Sequence, residues 1–282
     1  MIYLNGVYMP IEDAKIPVLD RGFIFGDGVY EMIPVYSRRP FRLRDHLSRL
    51  GRSLEGIRLP NPLSDEDWIG IVEKLVKEND PDDQGIYIQV TRGVAKRDHA
   101  FPKEVSPTVF AMSNPLTSPA QDALEAGVAA IAAEDYRWLR CDIKTVSLLA
   151  NVLLRQLAVD AGAAETILFR DGFLTEGAAS SVFVVKEGIL LAPPKSHLML
   201  PGITYDVVLE IAEMEKIPFE IRNISREEVF SCSEILLTSS TMEITPATTL
   251  DASKVGTGRP GPVFSRLHAA YQDFKTKVMR KS

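Results

Sequence analysis

The sequence is short of cysteine. Two in 282 residues, Cys141 and Cys232, make no disulfide framework, and neither stands in a C-x-x-C pair. A reducing, cytoplasmic setting is the expectation. The four histidines are far apart along the chain, so spacing lends no support to a metal site. There is no long basic block and the formal net charge is -6, which argues against nucleic acid or an anionic membrane as the main partner. No apolar run reaches transmembrane length, and the opening MIYLNGVYMP has neither a basic n-region nor a long apolar h-region. Common catalytic signatures are missing too. The chain has no Walker A motif, no G-x-S-x-G and no H-E-x-x-H, and GDGVYE lacks the third glycine of the dinucleotide fingerprint. Small-molecule ligands remain, with a chemistry built on lysine, carboxylates and loops able to hold an anion.

What is present is ordinary globular material, 45% hydrophobic and 25% charged, of a length that suits one large or two medium domains. Asn5-Gly6 between IYL and VYM predicts a hairpin that turns the N-terminus into structure. Residues 29–36 read as a strand, and Leu43, Leu47, Leu50 and Leu54 recur at helical spacing over 43–57. Ser64 and Asp67 form a capping-box pattern ahead of the stripe Trp68, Ile71, Val72, Leu75 and Val76. Strand signals follow in GIYIQVTRG and TVFAMS. The stretch NPLTSPAQD, residues 114–122, carries two prolines and no periodicity, and reads as a linker between an N-terminal domain, 1–113, and a C-terminal one, 123–282. Beyond it come a strand in GVAAIAA, a helix after residue 147, and short strands broken at Asp171-Gly172 and Glu187-Gly188. A helix after Gly202, a strand around ILLTSS and a last helix with Phe264, Leu267, His268 and Tyr271 complete the order. This mixture predicts two α+β domains with a cleft between them.

Four groups of residues are candidates for chemistry. In RWLRCDIKTVSLLANVLLRQ, Lys144 precedes a run spaced like the buried face of a helix. A lysine snorkelling from a strand end before a Ser147 helix cap is the ordinary reading; the alternative is a desolvated, nucleophilic amine that forms a Schiff base. Glu176 precedes Gly-Ala-Ala-Ser-Ser, a run small enough to admit a flat ligand, and is either a turn glutamate or the partner of a protonated pyridine nitrogen. LPGITYDVVLE puts Gly202, Ile203 and Thr204 at a helix start, TSSTMEITP offers hydroxyls at Ser239, Ser240 and Thr241, and Arg49 supplies a fixed charge. Each has a capping or surface role open to it, and together they suit one phosphate. Arg97 and His99, two residues apart in a glycine-bearing loop, are either a solvated loop or a trap for a carboxylate.

Taken in order, RGFIFGDGVYE, HLSRL, QVTRG, RWLRCDIK, LTEGAASSVF, LPGIT and TSSTMEITP closely resemble the D-amino acid aminotransferases. These share the type IV fold of pyridoxal-phosphate enzymes with the branched-chain aminotransferases and aminodeoxychorismate lyase. The likeness runs from the N-terminal hairpin to about residue 246. It implies that Lys144 forms the Schiff base with pyridoxal phosphate and relays the substrate proton, and that Glu176 partners the pyridine nitrogen. It further implies that Arg49, Ile203, Thr204, Ser239 and Ser240 hold the phosphate, that Leu200 packs behind the ring, and that Arg137 stands near the phenolic oxygen. The cofactor would lie in the interdomain cleft, on the C-terminal domain. Tyr30, Arg97 and His99 match the carboxylate-binding set of the D-specific members, with the arginine and histidine reaching in from the neighbouring subunit of a homodimer. Transfer of an amino group from D-alanine to 2-oxoglutarate by a ping-pong cycle is the activity implied. The rivals on the same fold are a branched-chain L-aminotransferase, an (R)-amine transaminase and a lyase, against which the Arg97 and His99 pair speaks; a non-catalytic cofactor carrier is the rival of another class. Ala178 and Ala179 stand where better-known members have serines, and Pro201 where they have a lysine, which predicts altered cofactor affinity or acceptor preference with the chemistry kept.

Overall fold

The structure, a computed structural model, describes residues 1–104 and 106–281. It divides into two compact units that are not contiguous in sequence. The first is Met1–Thr117 with Ile143–Leu148 and the residues from Met279 onward; the second is Ser118–Asp142 with Leu149–Val278. A single cut at 114–122 therefore differs from this division in the segment that carries Lys144, which belongs to the first unit. The linker is also shorter than the sequence suggests, because β6 runs through Pro115 and α4 starts at Gln121.

In the first unit the elements are β1 (Ile2–Leu4), β2 (Val7–Met9), α1 (Arg21–Phe25), β3 (Gly28–Tyr36), β4 (Arg39–Pro40), α2 (Leu43–Gly56), α3 (Asp65–Glu78), β5 (Gln84–Thr91) and β6 (Thr108–Pro115). Among the described residues the strands form one antiparallel sheet in the order β2-β1-β6-β5-β3-β4. The β1-β2 hairpin closes at Asn5 and Gly6, both at positive φ (47° and 90°), the backbone that an Asn-Gly turn favours. Ser64 and Asp67 cap α3 reciprocally, as their spacing predicts. Leu47, Leu50 and Leu54 of α2 and Trp68, Val72 and Leu75 of α3 pack with Ile33, Val35, Ile86 and Ile88 of the sheet. Each such side chain contributes about 1.5–3 kcal/mol by leaving water. Beside that apolar stripe α2 buries a polar one, His46, Arg49 and Ser53.

The second unit contains α4 (Gln121–Glu125), β7 (Val128–Glu134), α5 (Leu149–Asp160), β8 (Glu165–Arg170), β9 (Phe173–Gly177), β10 (Ser181–Lys186), β11 (Ile189–Ala192), α6 (Ile203–Met214), β12 (Phe219–Ile221), α7 (Arg226–Phe230), β13 (Glu234–Ser239), β14 (Glu243–Leu250), β15 (Ser253–Lys254) and α8 (Pro262–Phe274). Its sheet runs β12-β11-β10-β13-β14-β7-β8-β9, with β15 paired to β14. Strand β7 is parallel to both β14 and β8, and β11 is parallel to β12. The turns at Asp171-Gly172 and Glu187-Gly188 take positive φ, as the sequence predicts. Ile167, Phe169, Val182, Val184, Leu191, Ile235 and Leu237 form the core.

One expectation fails at α5. Its apolar run does not form a buried face: only Leu154 and Ala158 are buried, while Leu149, Val152 and Leu153 are 72%, 59% and 51% exposed in the single chain. Nor does Ser147 cap the helix, which begins at Leu149; the Ser147 hydroxyl donates instead to the Gly26 carbonyl at 2.8 Å. No described helix is long and apolar enough to cross a membrane.

Candidate active site

Lys144 lies in an extended segment laid along the start of β3. Tyr30 N–H donates to the Lys144 carbonyl at 2.9 Å, Val146 N–H donates to the Gly28 carbonyl at 3.0 Å, and Val29 and Thr145 form an isolated bridge. On the other side, Lys144 N–H donates to Ser53 Oγ of α2 at 3.2 Å. The half-buried amine Nζ stands 4.3 Å from the centroid of the Tyr30 ring, and among the described residues no carboxylate comes within ion-pair distance of it. A cation over an aromatic face replaces part of the hydration the ammonium loses. Tyr30 is itself stacked on Tyr87, centroids 5.6 Å apart, and burial beside Tyr30 pushes the Tyr87 hydroxyl up to about 12.

Next to Tyr30, Glu31 is the hub of a fully buried ionic cluster. Its carboxylate accepts from Arg49 Nε at 2.7 Å and Nη2 at 2.9 Å, and meets His46 Nδ1 at 2.8 Å. Burial alone would push the Glu31 carboxyl up, but the Arg49 charge and the bonds from Arg49 and His46 outweigh it and hold the group far below the usual carboxylate range. Burial lowers the His46 pKa against the pull of Glu31. His46 Nε2 is buried with no hydrogen-bond partner among the described residues. Arg49 is thus forked onto Glu31 inside the first unit, a fork that sequence reasoning did not foresee.

In the second unit Glu176 closes β9. Its Oε1 accepts from Arg137 Nη1 at 2.6 Å, and both oxygens lie 3.2 Å from Leu200 N–H. Burial raises the Glu176 carboxyl to about 7 even against the Arg137 charge and the Leu200 amide. Arg137 is aimed by Asp135, whose oxygens accept from Nε and Nη2 at 2.9 Å each, and Asp135 is held in turn by Arg170 at 3.0 Å and Thr175 Oγ1 at 3.0 Å. Arg137, expected near a phenolic oxygen, is paired here with the glutamate. Asp135 carries no motif of its own, so its buried position was not legible.

The run after Glu176 is fixed by its backbone. Ala178 N–H donates to the Thr166 carbonyl at 2.9 Å and its carbonyl accepts from Asn151 Nδ2 at 2.9 Å, while Ala179 N–H and the Ser180 hydroxyl reach Glu165 Oε2 at 3.3 and 2.7 Å. Helix α6 starts after Gly202 with no side-chain cap, so the first amides, at Ile203 and Thr204, face outward along the positive end of a 12-residue helix. In the turn after β13, Ser239 Oγ accepts from the amides of Thr241 and Met242 at 3.3 and 3.0 Å and lies 3.2 Å from the Thr241 hydroxyl. Ser240 is half-buried beside it.

Of the predicted carboxylate trap, Tyr30 contacts Lys144. Arg97 and His99 are exposed and gather on Phe25: the Arg97 guanidinium is 5.2 Å and the His99 ring 5.4 Å from its ring centroid.

A model of the amino-transferase class IV family matches residues 28–250, a span that contains Tyr30, Arg49, Arg97, His99, Lys144 and Glu176. The chain belongs to amino-transferase class IV. Among curated relatives, the D-alanine aminotransferase of Staphylococcus epidermidis is 40% identical over 274 residues, covering 97% of each chain, and that of Bacillus licheniformis is 38% identical over 272 residues, covering 96% of each. Among solved structures, the branched-chain amino acid aminotransferase of Escherichia coli superposes with a TM-score of 0.90 at 28% identity, over 96% of this chain and 93% of that one. The branched-chain amino acid aminotransferase of T.th., solved with pyridoxamine 5'-phosphate, gives a TM-score of 0.90 at 25% identity, over 99% and 94%. The type IV aminotransferase fold expected from the motifs is therefore the fold of this class IV chain.

Sequence reasoning missed Glu31, His46 and Ser53 in this site. A signal was present: His46, Arg49 and Ser53 repeat at i, i+3 and i+7 beside the leucine stripe, a second helical face that is polar and buried.

Proposed function

We propose that this class IV aminotransferase moves the amino group of D-amino acids, D-alanine first among them, to 2-oxoglutarate, with pyridoxal 5'-phosphate as cofactor and by a ping-pong cycle. The observation that carries the proposal is the 40% identity to a D-alanine aminotransferase over 97% of both chains. The branched-chain structures share the fold at lower identity and leave the hand of the substrate open.

The donor set fits the cofactor. A phosphate suits the uncapped start of α6, with Ile203 and Thr204 amides, the Ser239 and Ser240 turn and the Arg49 charge as its holders. A pyridine nitrogen suits Glu176, whose raised proton affinity lets the carboxyl share a proton at about neutral pH. Leu200 would pack behind the ring, and its amide keeps the glutamate in place. Arg137 acts on that glutamate. When bound, the cofactor supplies the carbonyl that takes up the amino group and a ring that accepts the electron pair left on the substrate α-carbon. Lys144 Nζ, referenced to Tyr30, would take the proton from that carbon and hold it at the amine for its return. Glu176 would hold a proton at its Oε atoms within reach of that nitrogen. Tyr30, Arg97 and His99 bind the substrate carboxylate, and which side they bind it on sets which enantiomer offers its hydrogen to Lys144.

The protein acts as a homodimer, with Arg97 and His99 supplied by the neighbouring subunit; their exposure and the open apolar face of α5 support this. The C-terminal region from 123 carries most of the residues assigned to the cofactor, Lys144 among them. A cytoplasmic location is consistent with Cys141 and Cys232, both buried and unbridged, with burial pushing their thiols up to about 11 and 12.

The test is a purified-protein assay with D-alanine and L-leucine as alternative donors to 2-oxoglutarate. Turnover of D-alanine in the native protein and none in Lys144→Ala is expected. Turnover of L-leucine alone would refute the stereochemical reading, and full activity in Lys144→Ala the mechanism.

A further inference from the structure

Lys144 is presented from an irregular extended segment, so something other than a helix or sheet ladder must fix its main chain. β3 fixes one side through Tyr30 N–H on the Lys144 carbonyl at 2.9 Å. The opposite side of that residue is its own N–H, and among the described residues one acceptor serves it: Ser53 Oγ at 3.2 Å. Ser53 is 2% exposed, on the third step of the buried polar stripe of α2. The two steps before it, His46 and Arg49, are tied to Glu31 on β3, the neighbour of Tyr30. The helix that carries the Ser53 hydroxyl and the strand that carries the Tyr30 amide and ring are therefore locked together by one buried carboxylate. Lys144 is held at its N–H by the first and at its carbonyl and amine by the second.

We infer that Ser53 is a positioning residue for Lys144, its hydroxyl fixing the peptide plane from which the amine is aimed at the Tyr30 face. The inference rests on the reading of Lys144 as the reacting amine. With alanine's methyl in place of the hydroxymethyl group, the Lys144 N–H is left without that acceptor and the plane can turn about the Tyr30 bond. A side chain four carbons long magnifies a small turn of the backbone into a displacement of Nζ, and reacting groups displaced by about 1 Å lose on the order of a hundredfold in rate.

The experiment compares native protein with Ser53→Ala, Ser53→Thr, which keeps the hydroxyl, and Leu47→Val, which trims the apolar stripe of the same helix. Each is stripped of cofactor and mixed with pyridoxal phosphate. The rate at which the visible absorption band of the lysine-bound cofactor develops is followed, together with kcat and KM for D-alanine and the melting temperature. For Ser53→Ala we expect band formation and kcat each slowed about tenfold, with KM within about twofold, because aiming acts on the reacting geometry and not on substrate capture. Ser53→Thr is expected to stay near native, and Leu47→Val to lower the melting temperature without slowing the band. Native rates in Ser53→Ala, or equal slowing in Leu47→Val or Ser53→Thr, would overturn the positioning role. A native protein that develops no band with pyridoxal phosphate would fail the cofactor reading itself, and this inference with it; a native band beside an unaltered Ser53→Ala fails the inference alone.

Discussion

Tyr30 and Lys144 are joined twice. The Tyr30 amide donates to the Lys144 carbonyl at 2.9 Å, and the Lys144 amine stands 4.3 Å from the centroid of the Tyr30 ring. Main chain and side chain of the lysine are thus referenced to a single residue, and the two functions of Tyr30, ring and hydroxyl, are separable by substitution. Tyr30→Phe keeps the ring under the amine and removes only the hydroxyl assigned to the substrate carboxylate. We expect KM for D-alanine to rise several-fold with kcat little changed. Tyr30→Ala removes the cation–π contact, and at about 1–2 kcal/mol for a partly desolvated pair kcat should fall roughly five- to thirtyfold. Steady-state kinetics on the two variants checks this; equal kinetics in both would mean that the ring does not serve the amine.

Glu31 holds two basic groups with one carboxylate in a fully buried place. Glu31→Gln leaves the Arg49 charge with less compensation, and removing one partner of a buried pair costs about 3 kcal/mol or more. Because the folded carboxyl lies far below its ordinary value, its contribution is present above the unfolded pKa and lost as pH falls toward the folded one. Urea unfolding of native protein and variant should therefore differ most at neutral pH, with the gap closing below about pH 4.3. Stability curves that stay parallel through this window would contradict the cluster as described.

The candidate site was unevenly legible in the sequence. Capped or turn-bounded elements announced themselves: the Asn5-Gly6 hairpin, the Ser64 cap of α3 and the breaks at Asp171-Gly172 and Glu187-Gly188 are decided by local backbone chemistry. Lys144, Glu176 and the glycine-led start of α6 each have an ordinary reading when taken alone, and it is their order along the chain, matching the motifs of one family, that singles them out. What was not legible is pairing across distance. Nothing local in EDYRW says that Asp135 is buried and aims Arg137 at Glu176, 39 residues away. The α5 run misled for the same physical reason: an apolar stripe reports that a face leaves water, and not whether it is covered by the same chain or by another.

Glu176 supplies a pH test with a defined sign. Its carboxyl is raised from 4.5 to about 7 by burial, so the folded cofactor-free protein prefers it protonated. That contribution is fully present below the unfolded pKa and lost as pH rises through about 7. Native protein stripped of cofactor should lose stability relative to Glu176→Gln between pH 5 and 8, by up to about 3 kcal/mol. Thermal unfolding of the two proteins across that range reads the difference directly. A gap that widens in favour of the native protein on the alkaline side would mean that the Arg137 charge, and not burial, governs the group.

The exposed face of α5 and the exposed Arg97 and His99 lead to one prediction about assembly. Leu149, Val152 and Leu153 leave an apolar surface on a single chain, and an isologous dimer would cover such a face with its own copy. Val152→Asp should then convert a dimer to monomers in sedimentation velocity, with loss of D-alanine turnover even though residue 152 lies outside the set assigned to the chemistry. A sharper version uses complementation. Lys144→Ala and Arg97→Ala are each expected to be nearly inactive, the first for want of the amine and the second for want of the carboxylate trap. If Arg97 serves the partner's Lys144, a mixed dimer has one site with both residues intact, and random mixing restores roughly a quarter of native turnover. If Arg97 serves its own chain, no site in the mixture has both, and turnover stays at the level of the separate variants.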